Sequence, residues 1–333
     1  MKSKVLVTGA DGFIGSHLVE LLLKKGFSVR AFCFYNSQGN WGWIDTLPNQ
    51  VKSDIDIFLG DVRDYQSVLE AVKGCDYIFH LASLIAIPYS FKVPHSYVET
   101  NITGTLNVLN AAKDFGVKRL IHTSTSETYG TAQYVPIDEK HPLVGQSPYA
   151  ATKIGADQLA MSFWKSFSTP VTVLRPFNTY GPRQSDRAVI PTIISQIAAG
   201  KKKISLGSIY PTRDFNFVYD TCNAFLEVCK SELTIGKTIN AASNFEISIG
   251  ETAFLISKLM DKDIEIISDE QRLRPNNSEV ERLYGDNTLI KSLTDWEPSF
   301  GGIEGFKRGL EITIEWFNNS DNLKFYRPNE YKI

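Results

Sequence analysis

The sequence predicts an α/β fold, a doubly wound parallel sheet with a smaller C-terminal substrate-binding domain. Three observations predict it. Up to Pro176, short β-branched and aliphatic runs alternate with segments of helical spacing. The first of these junctions is a glycine-rich turn. Beyond Pro176 the alternation lapses, segments shorten and prolines recur at Pro182, Pro191, Pro211, Pro275 and Pro298.

Taken in order, Lys4 to Thr8 is the first strand. Phe13 to Lys25 carries apolar residues at helical spacing and stops at Gly26. Phe27 to Phe34, Ile55 to Leu59, Tyr77 to Leu81 and Arg119 to Thr123 read as the next four strands. A helix is expected from Pro94 to Asp114, with Pro94 near its first turn, and another from Pro148 to Phe167. Val171 to Leu174 is the sixth strand. Phe215 to Cys229 is expected to pack back onto the first domain. The first domain is therefore drawn as residues 1–176 with roughly 213–240, and the second as the remainder of 177–333.

Composition bounds the function. Hydrophobic residues make up 43% and charged residues 22% of 333, ordinary globular usage with ample core. Lys+Arg 35 against Asp+Glu 37 leaves a net charge of −2, which argues against nucleic acid as a partner. The cysteines at 33, 75, 222 and 229 form no CxxC pair and no cluster with histidine, so no metal site or disulfide framework is expected. No apolar run reaches the roughly 18 residues of a membrane span, and the apolar N-terminal run is too short for a signal peptide. These point to a reducing cytoplasm.

The turn Thr8-Gly9-Ala10-Asp11-Gly12-Phe13-Ile14-Gly15 spaces its glycines three and three. Placed between a strand and a helix, it lets backbone approach a pyrophosphate on free helix N–H groups. Gly9, Asp11, Gly12, Phe13, Ile14 and Gly15 are thus candidate cofactor residues. The acid that holds an adenosine ribose at the end of the second strand is missing; Cys33 falls roughly there. NAD and NADP both stay open. Asp61 and Val62 follow the third strand, where a carboxylate can accept from an adenine amino group.

Tyr149 and Lys153 are four apart on a predicted helix and share a face. A cation there is expected to lower the tyrosine pKa and make it a base. Thr125 and Ser126 offer hydroxyls at the end of the fifth strand. Glu127 beside them offers a carboxylate able to take a carbon-bound proton next to a ketone.

With these motifs in place, the chain resembles the extended short-chain dehydrogenase/reductases of the NAD-dependent nucleotide-sugar epimerase/dehydratase family. The resemblance runs through Gly9-x2-Gly12-x2-Gly15, Gly60-Asp61-Val62, His80-Leu81-Ala82, Asn101, Thr125, Tyr149-x3-Lys153 and Arg175-Pro176-Phe177-Asn178-Thr179-Tyr180-Gly181-Pro182. It implies a Rossmann-type domain and a bound NAD, with Leu81 and Ala82 on the cofactor. Thr125, Tyr149 and Lys153 become the redox triad. Asn178, Arg213 and Arg274 become contacts of a nucleotide-sugar diphosphate. It also implies a homodimer through the two long helices.

Within the family, Thr125-Ser126-Glu127 resembles 4,6-dehydratases, with Ser126 where some members carry aspartate. Decarboxylases of UDP-glucuronate share the string, and 4-epimerases usually lack the glutamate. Phe34-Tyr35-Asn36-Ser37, Trp41-Gly42-Trp43, Ile87-Pro88-Tyr89-Ser90 and Arg272 through Arg282 resemble the branch acting on GDP-N-acetylglucosamine in legionaminic acid biosynthesis. A packed loop core and a base-stacking role are both open for Trp41 and Trp43. A non-catalytic dinucleotide sensor would not need Tyr149, Lys153 and Glu127 together.

Overall fold

Five residues of alternating aliphatic character, Lys4–Thr8, form the first strand, β1, and all but Lys4 are buried. A computed structural model describes residues 2–326, with Asn276 by its backbone alone. The further strands are β2 (Ser28–Phe34), β3 (Ile55–Gly60), β4 (Tyr77–His80), β5 (Arg119–Thr123), β6 (Val171–Pro176), β7 (Asn178–Tyr180), β8 (Lys203–Leu206), β9 (Thr212–Phe217), β10 (Thr238–Ala241), β11 (Glu246–Ser248) and β12 (Glu265–Ser268).

Seven of them make the predicted doubly wound sheet, in the order β10-β6-β5-β4-β1-β2-β3, every pair parallel. Period-two alternation sends successive β1 side chains to opposite layers. Val5 and Val7 join a cluster with Leu18, Phe79 and Phe225. Leu6 joins Ile78, Val108, Leu109 and Phe163 on the other face. The strand order reverses between β1 and β4, which opens a crevice at their carboxyl ends.

The helix Pro148–Phe167 forms as its sequence predicts. Pro148 occupies its first turn and the Ser147 hydroxyl accepts from Ala150 N–H at 3.1 Å. The helix expected from Pro94 to Asp114 is not continuous. It is α-helical over Pro94–Tyr97, π-helical over Val98–Thr103 and α-helical again over Gly104–Phe115. The wider turn carries the Asn101 side chain into the crevice wall. There it accepts from Leu84 N–H at 2.9 Å and donates to Leu84 O at 3.0 Å and Thr152 Oγ1 at 3.1 Å.

After β6 the chain builds smaller units. β9 pairs with β7 in parallel and with β11 antiparallel, and β8 pairs with β12. Tyr180, Phe217 and Phe306 fill the core beneath them. Of the stretch 213–240, β9 belongs to this small sheet. The helix Val218–Lys230 lies against β5, β6 and the helix Phe13–Lys24, and β10 pairs with β6. Residues 327–333 of the expected second domain lie outside the described residues.

Candidate active site

The ends of β1, β4, β5 and β6 open onto a cavity of about 1200 Å3. β1 stops at Thr8, whose buried hydroxyl accepts from the N–H groups of Leu81 and Ala82, both at 3.1 Å. The same oxygen lies 2.8 Å from His80 Nδ1. Burial holds His80 neutral by pushing its pKa well below the usual range. Gly9 turns with φ of +68°, and a Cβ there would meet Ala82 N at 2.8 Å. A Cβ on Gly15 would stand 2.1 Å from Gly9 O, so glycine alone lets the helix start close against the turn. The N-cap of that helix, Gly12, brings no side-chain hydrogen bond. A glycine cradle under an uncapped helix N-terminus fits the pyrophosphate of a dinucleotide.

The rest of the predicted cofactor set surrounds this cradle. Asp11, Phe13, Ile14, Asp61, Val62, Leu81 and Ala82 all line the cavity. The Asp11 carboxylate accepts from Phe34 N–H at 3.3 Å and ties the loop to β2; burial raises its pKa. Asp61 is gripped by Arg63, whose Nε and Nη2 donate at 2.6–3.0 Å. Burial works to raise the Asp61 pKa, and the Arg63 bonds and charge bring it below the usual carboxylate range. Cys33 is fully buried and the exposed residues following it are Phe34 and Tyr35, so β2 ends without a carboxylate.

The catalytic candidates meet on one wall. Thr125 caps a short 3-10 turn, Ser126–Tyr129, by accepting from Glu127 N–H at 3.2 Å, and this turn buries Glu127 against the cavity. Ser126 lines the same wall. Tyr149 shares this wall with Thr125, whose side chain works to lower the phenol pKa. Lys153 Nζ donates to Thr123 O. The expectation that Lys153 lowers the Tyr149 pKa fails here. Burial raises the phenol pKa, and the Thr125 side chain opposes this only in part. Burial also lowers Lys153 to about 8, with Asp157 opposing. Desolvation disfavours the charged form of both partners: Lys153 still carries its proton below about pH 8, but the phenolate that the simple cation–phenolate picture requires is disfavoured.

The predicted diphosphate residues line the cavity beyond Glu127. Arg213 is buried, donates to Thr212 O at 2.9 Å and bonds Glu279 Oε1 at 3.2 Å. Arg274 Nη1 stands 3.8 Å from Glu127 Oε2 and 3.9 Å from Glu279 Oε1. The Asn178 amide oxygen is buried without a partner among the described residues. Arg183 turns away to Glu20 and Ser16 at 2.7 and 3.3 Å, and Arg187 bonds Ser185.

Sequence reasoning missed Glu279, which bridges the two arginines. Its signal was the alternating charge in Arg272 to Arg282. It also missed Asp157, buried four residues after Lys153, the next step of the same helical face. Asp157 accepts from Ser124 Oγ at 2.6 Å and from Arg175 Nε and Nη2 at 3.1 and 2.8 Å, and lies 3.3 Å from His122 Nε2. Arg175 goes on to Tyr129 OH at 3.0 Å, and Tyr129 OH to Asn240 Oδ1 at 2.8 Å. This network locks the ends of β5, β6 and β10 behind the catalytic wall. Among the described residues no group of three His, Cys, Asp or Glu side chains is placed to hold a metal.

Known proteins share this fold. The family model described as GDP-mannose 4,6 dehydratase matches residues 6–308. A UDP-N-acetyl-alpha-D-glucosaminuronate decarboxylase of Bacillus cytotoxicus is 31% identical, covering 97% of this chain and 100% of its own. The UDP-glucuronic acid 4-epimerase of Bacillus cereus, solved with UDP-glucuronic acid and NAD, superposes with a TM-score of 0.86 at 26% identity over 97% of this chain and 100% of that one. The dTDP-glucose 4,6-dehydratase of Bacillus anthracis, solved with NAD, gives 0.83 at 27% identity over 98% and 99%. With a match across this much of its length, the chain belongs to the GDP-mannose 4,6 dehydratase family, among the nucleotide-sugar dehydratases, epimerases and decarboxylases of the extended short-chain dehydrogenase/reductases.

Proposed function

We propose that this chain is an NAD-dependent nucleotide-sugar 4,6-dehydratase that converts GDP-N-acetylglucosamine to its 4-keto-6-deoxy product. The observation that carries the reaction type is Glu127, a carboxylate buried on the same cavity wall as Thr125, Tyr149 and Lys153. The choice of GDP-N-acetylglucosamine rests on the resemblance of the 34–37, 41–43, 87–90 and 272–282 segments to legionaminic acid enzymes. The dinucleotide belongs on the Gly9–Gly15 cradle, with Lys153 toward its nicotinamide ribose. When bound, it supplies hydride acceptance and return.

The protein's part follows from its side chains. Arg213, Arg274 and Asn178 hold the substrate diphosphate and fix the sugar over the wall. Tyr149 takes the proton of the 4-hydroxyl as C4 is oxidised, with Thr125 beside it on the same wall. The resulting 4-ketone acidifies C5–H, and Glu127 takes that proton. The C6 hydroxyl leaves as water beside Ser126, carrying the proton that Glu127 took from C5, and reduction at C6 with a proton from the cleft returned to C5 completes a redox-neutral turnover. Glu127→Gln should stop water loss while leaving C4 oxidation visible as absorbance near 340 nm; normal turnover by this variant removes Glu127 as base.

The decarboxylase relative favours a second reading, oxidative decarboxylation of a nucleotide uronic acid. Mass spectrometry of the chain with GDP-N-acetylglucosamine and with UDP-glucuronate separates the two. Loss of one water from the first supports the dehydratase; loss of carbon dioxide from the second replaces it.

The proposal extends to the whole molecule. The cofactor domain comprises 1–176 with roughly 213–240 apart from the β9 residues of the small sheet, and the remainder binds the nucleotide sugar. Two copies pair through the helices Gly104–Phe115 and Pro148–Phe167, whose C-terminal ends leave Phe115 and Phe167 exposed. The enzyme works in the cytoplasm; no helix among the described residues is long and apolar enough to cross a membrane.

A further inference from the structure

Three aromatic side chains from opposite ends of the chain stand at the glycine cradle. Trp43 N–H donates to Asp11 O at 3.0 Å, within the cradle loop itself. Gly42 beside it adopts φ of +55° and lies so near that a Cβ would meet Asp11 O at 2.5 Å. From the other end of the sequence, Phe325 and Tyr326 come over Trp43 with ring centroids at 5.3 and 6.0 Å; the Tyr326 ring is stacked. Trp316 and Phe317, on the helix Gly302–Asn318, back Tyr326 at 5.9 and 4.9 Å. The Tyr326 hydroxyl donates to Gln184 O at 2.9 Å, which ties the segment to the strip that follows β7. Trp43, Phe325 and Tyr326 line the same cavity as Asp11, Gly12 and Phe13. Phe325 remains 51% exposed, so burial in a core does not account for its place on the wall.

We propose that Trp43, Phe325 and Tyr326 are cofactor-retaining residues, an aromatic wall that encloses a dinucleotide on the Gly9–Gly15 cradle and slows its release. This rests on the dinucleotide reading given above. A redox-neutral cycle returns its cofactor to the starting state at each turnover, so slow release costs no turnover. Release then requires separating ring contacts that individually contribute a few-fold to about tenfold in an equilibrium. The wall's side chains come from the 3-10 turn Gly42–Thr46 and from the residues after the helix Ser320–Leu323, so truncating one of them leaves the cradle's own glycines in place.

The test follows release of the fluorescent analogue etheno-NAD, chased by excess NAD, from the full chain and from Phe325→Ala, Trp43→Ala and Tyr326→Phe. Thermal melting of each protein checks folding, and the half-exposed Phe325 guards against a folding failure at the partly buried Trp43 and the buried Tyr326. Release should accelerate about tenfold or more in Phe325→Ala and Trp43→Ala, and a few-fold in Tyr326→Phe, where only the bond to Gln184 goes. Equal release rates from the wild-type chain and a folded Phe325→Ala overturn the wall while keeping the cofactor. A wild-type chain that binds neither etheno-NAD nor NAD overturns the cofactor reading and the wall with it.

Discussion

Asp157→Asn probes the buried charge behind the catalytic wall. Asp157 and Arg175 are 1% and 3% exposed, so neither has water to fall back on. At 2.8 Å, and with an effective dielectric of about 20, their attraction is roughly 6 kcal/mol. Asparagine keeps the shape and one acceptor oxygen, so part of the hydrogen bonding survives. The Arg175 guanidinium also keeps its place 4.9 Å from the Tyr129 ring. What is lost is the countercharge of a buried cation, and the expected cost is about 3–5 kcal/mol. That is a large share of the roughly 5–15 kcal/mol of a folded domain. Urea unfolding followed by fluorescence reads it as a lower midpoint at unchanged slope. The double variant Asp157→Asn/Arg175→Met removes the orphaned charge and should recover much of the loss. A single-variant cost below about 1 kcal/mol, or a double variant no better than the single, would refute the electrostatic account.

Three further outcomes follow. Lys153 titrates near 8 in the fold against an ordinary value near 10.5, so its charged form opposes folding below about pH 8. The penalty fades as pH rises from 8 toward 10.5; Lys153→Met should therefore be more stable than wild type at pH 7, by up to about 3 kcal/mol, with the gap closing across that window in urea titrations. Gly309→Ala puts a methyl 2.1 Å from the Tyr180 hydroxyl in a filled core and should cost about 1–3 kcal/mol in the same assay, whereas a neutral result would show that the core yields. Arg213→Lys keeps charge but loses the guanidinium fork, so KM for the nucleotide sugar should rise about tenfold or more with kcat changed far less; an equal fall in kcat would place Arg213 in the chemistry instead of in binding.

The main sheet was legible because each β-branched run between helical segments is short and bounded by glycine or proline, and the glycine spacing marked the crevice. Thr125, Glu127, Tyr149 and Lys153 were legible as positions, since each sits next to a strand end or on one helical face. Their protonation behaviour was not, because burial depends on neighbours far away in sequence. Lys153 Nζ is tied to Thr123 O, thirty residues away, a contact that local spacing does not announce. The π turn at Val98–Thr103 was hidden because nothing in the local periodicity registers the pull of Leu84 on Asn101. The aromatic cluster was hidden because Trp43 and Tyr326 lie at opposite ends of the chain, and no local pattern joins them.

The position of β10 has a consequence for protein engineering. The chain leaves the main sheet at Pro176, builds part of the small sheet, and comes back to lay β10 along β6. A splice at Pro176, the obvious place to graft a relative's specificity half, would therefore carry off an outer strand and the helix Val218–Lys230 that covers β5 and β6. The recipient half would be left with a bare edge on β6. Grafts respecting the topology would exchange two separate inserts, one between β6 and the helix Val218–Lys230 and one after β10, and leave the returning strand with its host.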